Sequence, residues 1–297
     1  MFSKIRELFP TLSKVIYLDN AATTPTPIPV YEKMVEYFED YCANIGRGVY
    51  KIASKATIEY EETRKAILNF IGADSGYVVF TKNTTEAINI AANGLKLKNC
   101  EVITTKLEHN SNIVPWLKLK NRGVTVKFLD YNEEYVIDPD TLNEAITERT
   151  RVFTVTHVSN VVGSENPVKE LFKVAHDNNI IAMVDCAQSL GHIDVDVKDI
   201  AADIVVFPGH KGLLGPQGTG GLYVKENITV EPLIVGGGTV KDVRVNGFVF
   251  TEDESRFEGG TPNIPGIIGL KEGIGILNKV GIKRIEERNK KARKDII

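Results

Sequence analysis

The chain has 297 residues, 42% apolar and 25% charged, the balance of an ordinary globular protein of about two domains or of one large α/β unit with an appendage. Lys plus Arg number 36 and Asp plus Glu 39, a net charge of −3, which leaves neither the basic face of a nucleic-acid binder nor a polybasic membrane signal. Apolar runs such as Ile180-Ile181-Ala182-Met183-Val184 fall far short of the ~18 residues of a membrane helix. The charged first ten residues hold no secretory core. Cys42, Cys100 and Cys186 are too widely spaced for a disulfide framework or a zinc site, so a protein of the reducing cytoplasm with no bound metal is expected.

Residues 1–60 hold a Pro-rich turn, Pro25 to Pro29, followed by helical segments. Tyr77–Thr81 then reads as a strand, and the polar Lys82-Asn83-Thr84 leads into a helix that ends near Gly94. Further strands are expected at Val102–Thr104, Val124–Leu129 and Val152–Val155, with a helix from Pro167 to about Asn178. Ile180–Val184 and Ile204–Phe207 are continuous apolar runs, the pattern of strands covered on both faces of a mostly parallel sheet. A last helix runs from about Ile264, breaks near Gly281 and continues strongly charged. Strands alternating with helices predict an α/β three-layer sandwich around a mostly parallel sheet.

Four segments carry chemistry, and each follows a predicted strand. Residues 209–221 hold six glycines, and Gly209-His210-Lys211 opens that run. Neither a Walker loop nor a dinucleotide fingerprint is present, so the run offers a lysine on a constrained turn at a strand's C-terminal end, where α/β folds bind ligands. Such an amine, if desolvated, can attack a carbonyl. The plainer reading is a Gly-rich hairpin with a solvated lysine. Asp185, in Val184-Asp185-Cys186-Ala187-Gln188, ends a buried strand, where an acid needs a cationic partner. A protonated pyridine nitrogen is one such partner, with Gln188 near the ring oxygen. The plainer reading is a helix or loop cap. Asn83-Thr84-Thr85-Glu86 places hydroxyls and N–H groups at a helix N-terminus, suited to a phosphate and equally to ordinary capping. His109, in Glu108-His109-Asn110-Ser111-Asn112, can stack on an aromatic ring, although a lone histidine is more often structural.

Together these residues resemble the class V aminotransferase group of fold-type I pyridoxal 5'-phosphate (PLP) enzymes, in its cysteine desulfurase/selenocysteine lyase branch. The likeness runs in family order from Tyr17-Leu18-Asp19-Asn20-Ala21-Ala22-Thr23-Thr24-Pro25 through Arg47-Gly48, Thr84-Thr85-Glu86, Glu108-His109, Asn112–Trp116 and His157-Val158-Ser159-Asn160. It continues through Asp185–Gln188 and Gly209-His210-Lys211 to Arg256-Phe257-Glu258-Gly259-Gly260-Thr261-Pro262-Asn263.

The resemblance implies particular roles. Lys211 would hold PLP covalently and shuttle the proton at the substrate Cα. Asp185 would pair with the pyridine nitrogen, Gln188 bond the ring oxygen, and His109 stack on the ring and assist proton transfer. Thr85, the Thr84 backbone and His210 would hold the phosphate, with Thr261 reaching it across a homodimer interface. Asn160 would touch the substrate carboxylate, and Arg47 would lie near the substrate mouth. The implied reaction converts L-cysteine to L-alanine and passes its sulfur onward, with a sulfur-acceptor protein as a further partner. A PLP-dependent aminotransferase or β-lyase, and a non-catalytic PLP-binding subunit acting with another chain, are the alternatives.

The resemblance also divides the chain into an N-terminal arm (1–30), a PLP-binding large domain (31–263) and a helix (264–297) leading toward a C-terminal small domain. Two departures accompany it. Pro208 stands where relatives often have Ser, removing a hydroxyl and an N–H from the phosphate cradle. The small domain, with its nucleophilic cysteine and carboxylate-binding arginine, is not found before Ile297, so impaired turnover is expected. Among the cysteines, Cys186 should point away from the site and be buried, Cys100 should lie at the far end of a strand, and Cys42 should sit in a helical segment near Arg47.

Overall fold

The computed structural model describes residues 2–46 and 48–296. Seven strands form one sheet: β1 (Tyr77–Thr81), β2 (Glu101–Thr105), β3 (Thr125–Leu129), β4 (Thr150–Thr156), β5 (Ile181–Asp185), β6 (Ile204–Pro208) and β7 (Gly220–Val224). Their order is β1-β7-β6-β5-β4-β2-β3. The pairs from β6 to β3 are parallel, and β7 runs antiparallel to both β6 and β1. Two reversals cancel, so β1 points the same way as β6. The C-terminal ends of β1, β2, β4, β5 and β6 therefore share one edge. A separate hairpin pairs β8 (Val240–Arg244) with β9 (Gly247–Phe250).

The helices are α1 (Phe2–Arg6), α2 (Ile28–Asp40), α3 (Lys51–Phe70), α4 (Thr84–Gly94), α5 (Val114–Leu117), α6 (Pro139–Ala145), α7 (Val168–Asp177), α8 (Ile264–Val280) and α9 (Ile282–Ile296). None among the described residues is long and apolar enough to cross a membrane.

Strand side chains alternate between two cores, as the period of two requires. Ala182, Val184, Val205 and Phe207 pack into one cluster with Tyr60 and Ile67 of α3, Leu171 and Phe172 of α7, and Ile267, Leu270 and Ile274 of α8. Met183, Ile204 and Val206 face the other way, against Ala87, Ile88 and Ala91 of α4 and Trp116 of α5. Both faces of β5 and β6 are thus covered, which is why these strands read as unbroken apolar runs. The result is the three-layer α/β arrangement expected from the pattern.

Helix α8 fills the first core with six isoleucine and leucine side chains, among them Ile264, Ile268 and Leu277. Two details differ from the sequence reading. Cys42 lies beyond α2, exposed, rather than within a helix. The Gly-rich run is a turn-rich segment whose last two glycines open β7, and its glycines let protein pack on protein. A Cβ at Gly209 would strike Thr219, and one at Gly212 would strike the Leu190 carbonyl.

Candidate active site

The shared edge gathers the strand-end segments. After β1, Asn83 caps α4: its side chain accepts the Glu86 N–H at 2.9 Å, while Glu86 Oε2 accepts the Lys82 N–H at 2.6 Å. This reciprocal arrangement satisfies two donors and leaves the N–H groups of Thr84 and Thr85 without intrahelical partners, at the positive end of the helix dipole. Thr84 is buried and Thr85 exposed. The Thr85 hydroxyl lies 2.7 Å from Ser111 Oγ, which lies 2.9 Å from His109 Nδ1. The Ser111 N–H donates to the same Nδ1 at 3.2 Å. Nδ1 is therefore an acceptor, and the neutral ring carries its proton on Nε2. Thr85 and His109, 24 positions apart, belong to one hydrogen-bonded unit through a residue the sequence reading did not single out.

Asp185 ends β5 with 2% of its surface exposed. Its carboxylate accepts a hydrogen bond from the Ala187 N–H at 2.8 Å. Burial pushes its pKa up to about 6, opposed by the Ala187 N–H and by the Lys211 ammonium. Burial also pulls Lys211 below the ordinary lysine range, with Asp185 opposing. The two groups interact electrostatically, each desolvated and each only partly compensated. His210 contributes an Nδ1 that is buried without a partner, and burial followed by the Lys211 charge lowers its pKa.

A strap from the N-terminal segment closes this side. The Thr24 N–H donates to the His210 carbonyl at 2.9 Å, and the Thr23 hydroxyl donates to the same oxygen at 3.3 Å. Gln188 Nε2 donates to the Ala21 carbonyl at 2.9 Å. The Tyr17 hydroxyl holds the strap's bend by donating to the Thr23 carbonyl at 2.7 Å. These strap residues were part of a motif in the sequence but had no assigned role. The Pro25-Thr26-Pro27 punctuation after them was the available signal for a fixed, extended turn.

Asn160 is exposed beyond β4. Thr261 lines a cavity of about 1120 Å³ with Asn44, Tyr60, Arg64, Glu258 and the β8–β9 hairpin, and none of Lys211, Asp185 or His109 lines it. Arg47 lies outside the described residues. Cys100 and Cys186 are buried, and burial pushes the Cys186 thiol up to about 12, so neither offers a thiolate at neutral pH.

The family model for class-V aminotransferases matches residues 16–297. The chain belongs to this family. A probable cysteine desulfurase of Methanothermobacter thermautotrophicus is 47% identical over 98% of this chain and 74% of its own length. The apo structure of a cysteine desulfurase from Thermococcus onnurineus matches with a TM-score of 0.94 at 42% identity, covering 99% of this chain and 74% of that one. The structure of SspA in complex with cysteine matches with a TM-score of 0.78 at 31% identity, over 88% of this chain and 72% of that one.

Enzymes of the class-V aminotransferase family in general depend on PLP. The donor set here fits that group on its own terms. An under-bonded buried carboxylate suits a ring cation, a desolvated amine suits an aldehyde carbon, and a helix N-terminus and an orphaned histidine nitrogen each suit a phosphate.

Proposed function

We propose that this chain is a PLP-dependent cysteine desulfurase of the cytoplasm, taking L-cysteine to L-alanine and delivering the sulfur to a thiol. The observation that carries the reading is the pair Asp185 and Lys211, both desolvated and both under-compensated, at the ligand-binding edge of a class-V aminotransferase sheet. The similarity to cysteine desulfurases and to a protein solved with cysteine supports the choice of substrate.

Lys211 would hold the cofactor covalently. Asp185 would face its ring nitrogen, Gln188 its ring oxygen and His109 its ring face. The N–H groups of Thr84 and Thr85, the Thr85 hydroxyl and the His210 ring would hold its phosphate. Thr261, which sits apart from the others within one chain, would be supplied by a second copy in a homodimer. When bound, the group supplies an electron sink for the pair left at the substrate Cα.

The residues do the rest. Lys211, its basicity reduced by burial, is suited to take and return a proton at Cα. His109, locked at Nδ1 by Ser111, presents Nε2–H as a donor of fixed tautomer. Asn160 and Arg47 would receive the substrate. The net reaction converts cysteine and a thiol into alanine and a persulfide: the C–S bond breaks, an S–S bond forms, and Cβ gains hydrogen. Neither Cys100 nor Cys186 is available as that thiol.

The test is a visible spectrum of purified protein supplied with PLP, beside an assay of alanine and sulfide from L-cysteine with added thiol. The wild-type protein is expected to become coloured, and Lys211→Ala to lose at least 100-fold in activity together with the lysine-linked band, in line with ~10²–10⁴-fold for a single acid–base group. A wild-type protein that rejects PLP would overturn the reading. Keto acid in place of alanine would redirect it to transamination.

A further inference from the structure

Glu108, immediately before His109, is 8% exposed. Three donors converge on its carboxylate. The Thr105 hydroxyl reaches Oε1 at 2.7 Å, the Thr156 N–H reaches Oε1 at 2.9 Å, and Asn112 Nδ2 reaches Oε2 at 2.6 Å. The donors are themselves held. Asn112 Oδ1 accepts from Trp116 Nε1 at 3.1 Å and from the Thr154 hydroxyl at 2.9 Å, so its amide cannot turn over without losing both. The Thr156 N–H is fixed by strand β4. Only an acceptor-only group satisfies all three positions. A glutamine in either orientation would set its own N–H against a donor.

This geometry stabilises an ion, yet no Lys or Arg among the described residues pairs with it. The charged group in electrostatic contact is Asp185, of the same sign. The other groups packed against Glu108 from β2, β4 and the 112–116 segment (Thr105, Thr154, Thr156, Asn112, Trp116) do not titrate near neutral pH. His157, next to Thr156, is held neutral, because burial pushes it down to about 4. Burial pushes Glu108 itself up to about 7, with the three donors pulling it down and Asp185 adding to the rise. Two buried acids thus lie behind one edge, with the weakened Lys211 ammonium compensating Asp185 and no cation compensating Glu108, and Glu108 also anchors the loop that carries His109.

We propose that Glu108 is a positioning residue: it fixes the His109 loop and, as a second buried negative charge behind Asp185, favours the protonated state of the cofactor when that is bound to Lys211. This inference rests on the reading of the site as a PLP site. It predicts that the pH at which the lysine-linked visible band loses its proton is set partly by Glu108.

The experiment is a spectroscopic pH titration of PLP-loaded protein for the wild type, Glu108→Gln and Thr105→Val. Removing the negative charge is expected to lower the band's transition by roughly half to one pH unit in Glu108→Gln, since a charge in direct contact shifts a pKa by about 1–3 units and this one acts from behind Asp185. Thr105→Val keeps the shape but removes one donor, so a smaller shift of the same sign is expected, and this variant carries the test if Glu108→Gln does not fold. A coloured wild type with an unmoved transition in the folded variants would overturn this inference alone. A wild type that takes up no PLP would overturn the reading of the site, and this inference with it.

Discussion

Glu258 and Asp185 are both carboxylates largely withdrawn from water, and the fold satisfies them in opposite ways. Glu258 accepts from Arg64 Nη1 at 2.9 Å and Nη2 at 3.3 Å, from the Tyr60 hydroxyl at 2.9 Å and from the Phe80 N–H at 2.8 Å. Arg64 is equally buried, donates to the Val78 carbonyl and to Glu61, and packs 4.6 Å from the Phe80 ring centre. The Glu258 charge draws the guanidinium above even its ordinary range. Asp185 has one N–H and a lysine that burial has weakened. A buried acid with its own arginine is architecture, here tying α3 and β1 to the loop that leads to Thr261. A buried acid left short of a cation is a place for one to arrive.

The harshest test of this contrast removes the internal cation. Arg64→Met would leave Glu258 buried and unpaired, and a loss of about 3–5 kcal/mol in unfolding free energy is expected. Urea denaturation of cofactor-free protein measures it. A loss below about 1 kcal/mol would mean that Glu258 reaches water readily, and the contrast with Asp185 would fail.

Asp185→Asn should act in the other direction on the empty protein. The carboxyl titrates at 3.8 in the open chain and at about 6 in the fold. Between those values the folded state holds more protons than the unfolded one, so stability declines as pH rises from about 4 to 6 and stays lower above that. Asparagine carries no such charge. The variant should gain on the order of 2–3 kcal/mol over wild type at pH 8, and the gain should vanish below pH 4. Urea melts across that range check the sign. The same substitution should weaken PLP binding at least tenfold, since the ring cation loses its counterion. A variant less stable at pH 8 would place Asp185 with Glu258.

These two carboxylates also show what the sequence made legible. Asp185 stood out because an acid closes an apolar strand, and Lys211, Thr85 and His109 stood out because each follows such a strand. Parallel order then brings the strand ends to one edge without further information. Glu258 gave no comparable sign, because its partners Arg64, Tyr60 and Phe80 lie almost 180 residues or more away in the chain. The Thr24–His210 strap escaped for the same reason. Strand β7 was hidden by composition: Gly220 and Gly221 read as loop, yet a Cβ at Gly221 would run into the Phe207 ring. The β8–β9 hairpin was hidden by exposure, since Lys241, Asp242 and Arg244 mask its alternation. Asn160 and Thr261 entered only through the family resemblance.

Asn83 gives the mildest and most discriminating test, because it sits at the cradle while bonding as structure. Its side-chain oxygen caps α4 through the Glu86 N–H, and Glu86 returns to Lys82, so that oxygen is spent within the protein. Asn83→Ala should therefore behave like damage to the Glu258 cluster on a smaller scale, lowering unfolding free energy by about 1 kcal/mol. The Thr84 and Thr85 N–H groups do not depend on the cap for their direction once α4 is packed through Ala87, Ile88 and Ala91. PLP affinity, read from the visible band against cofactor concentration, should accordingly change less than about threefold, since well under 1 kcal/mol of binding is at stake. An affinity loss above tenfold with unchanged stability would move Asn83 from the architectural side of the contrast to the ligand side, and would mean that the helix start is shaped by the phosphate it receives rather than by its own cap.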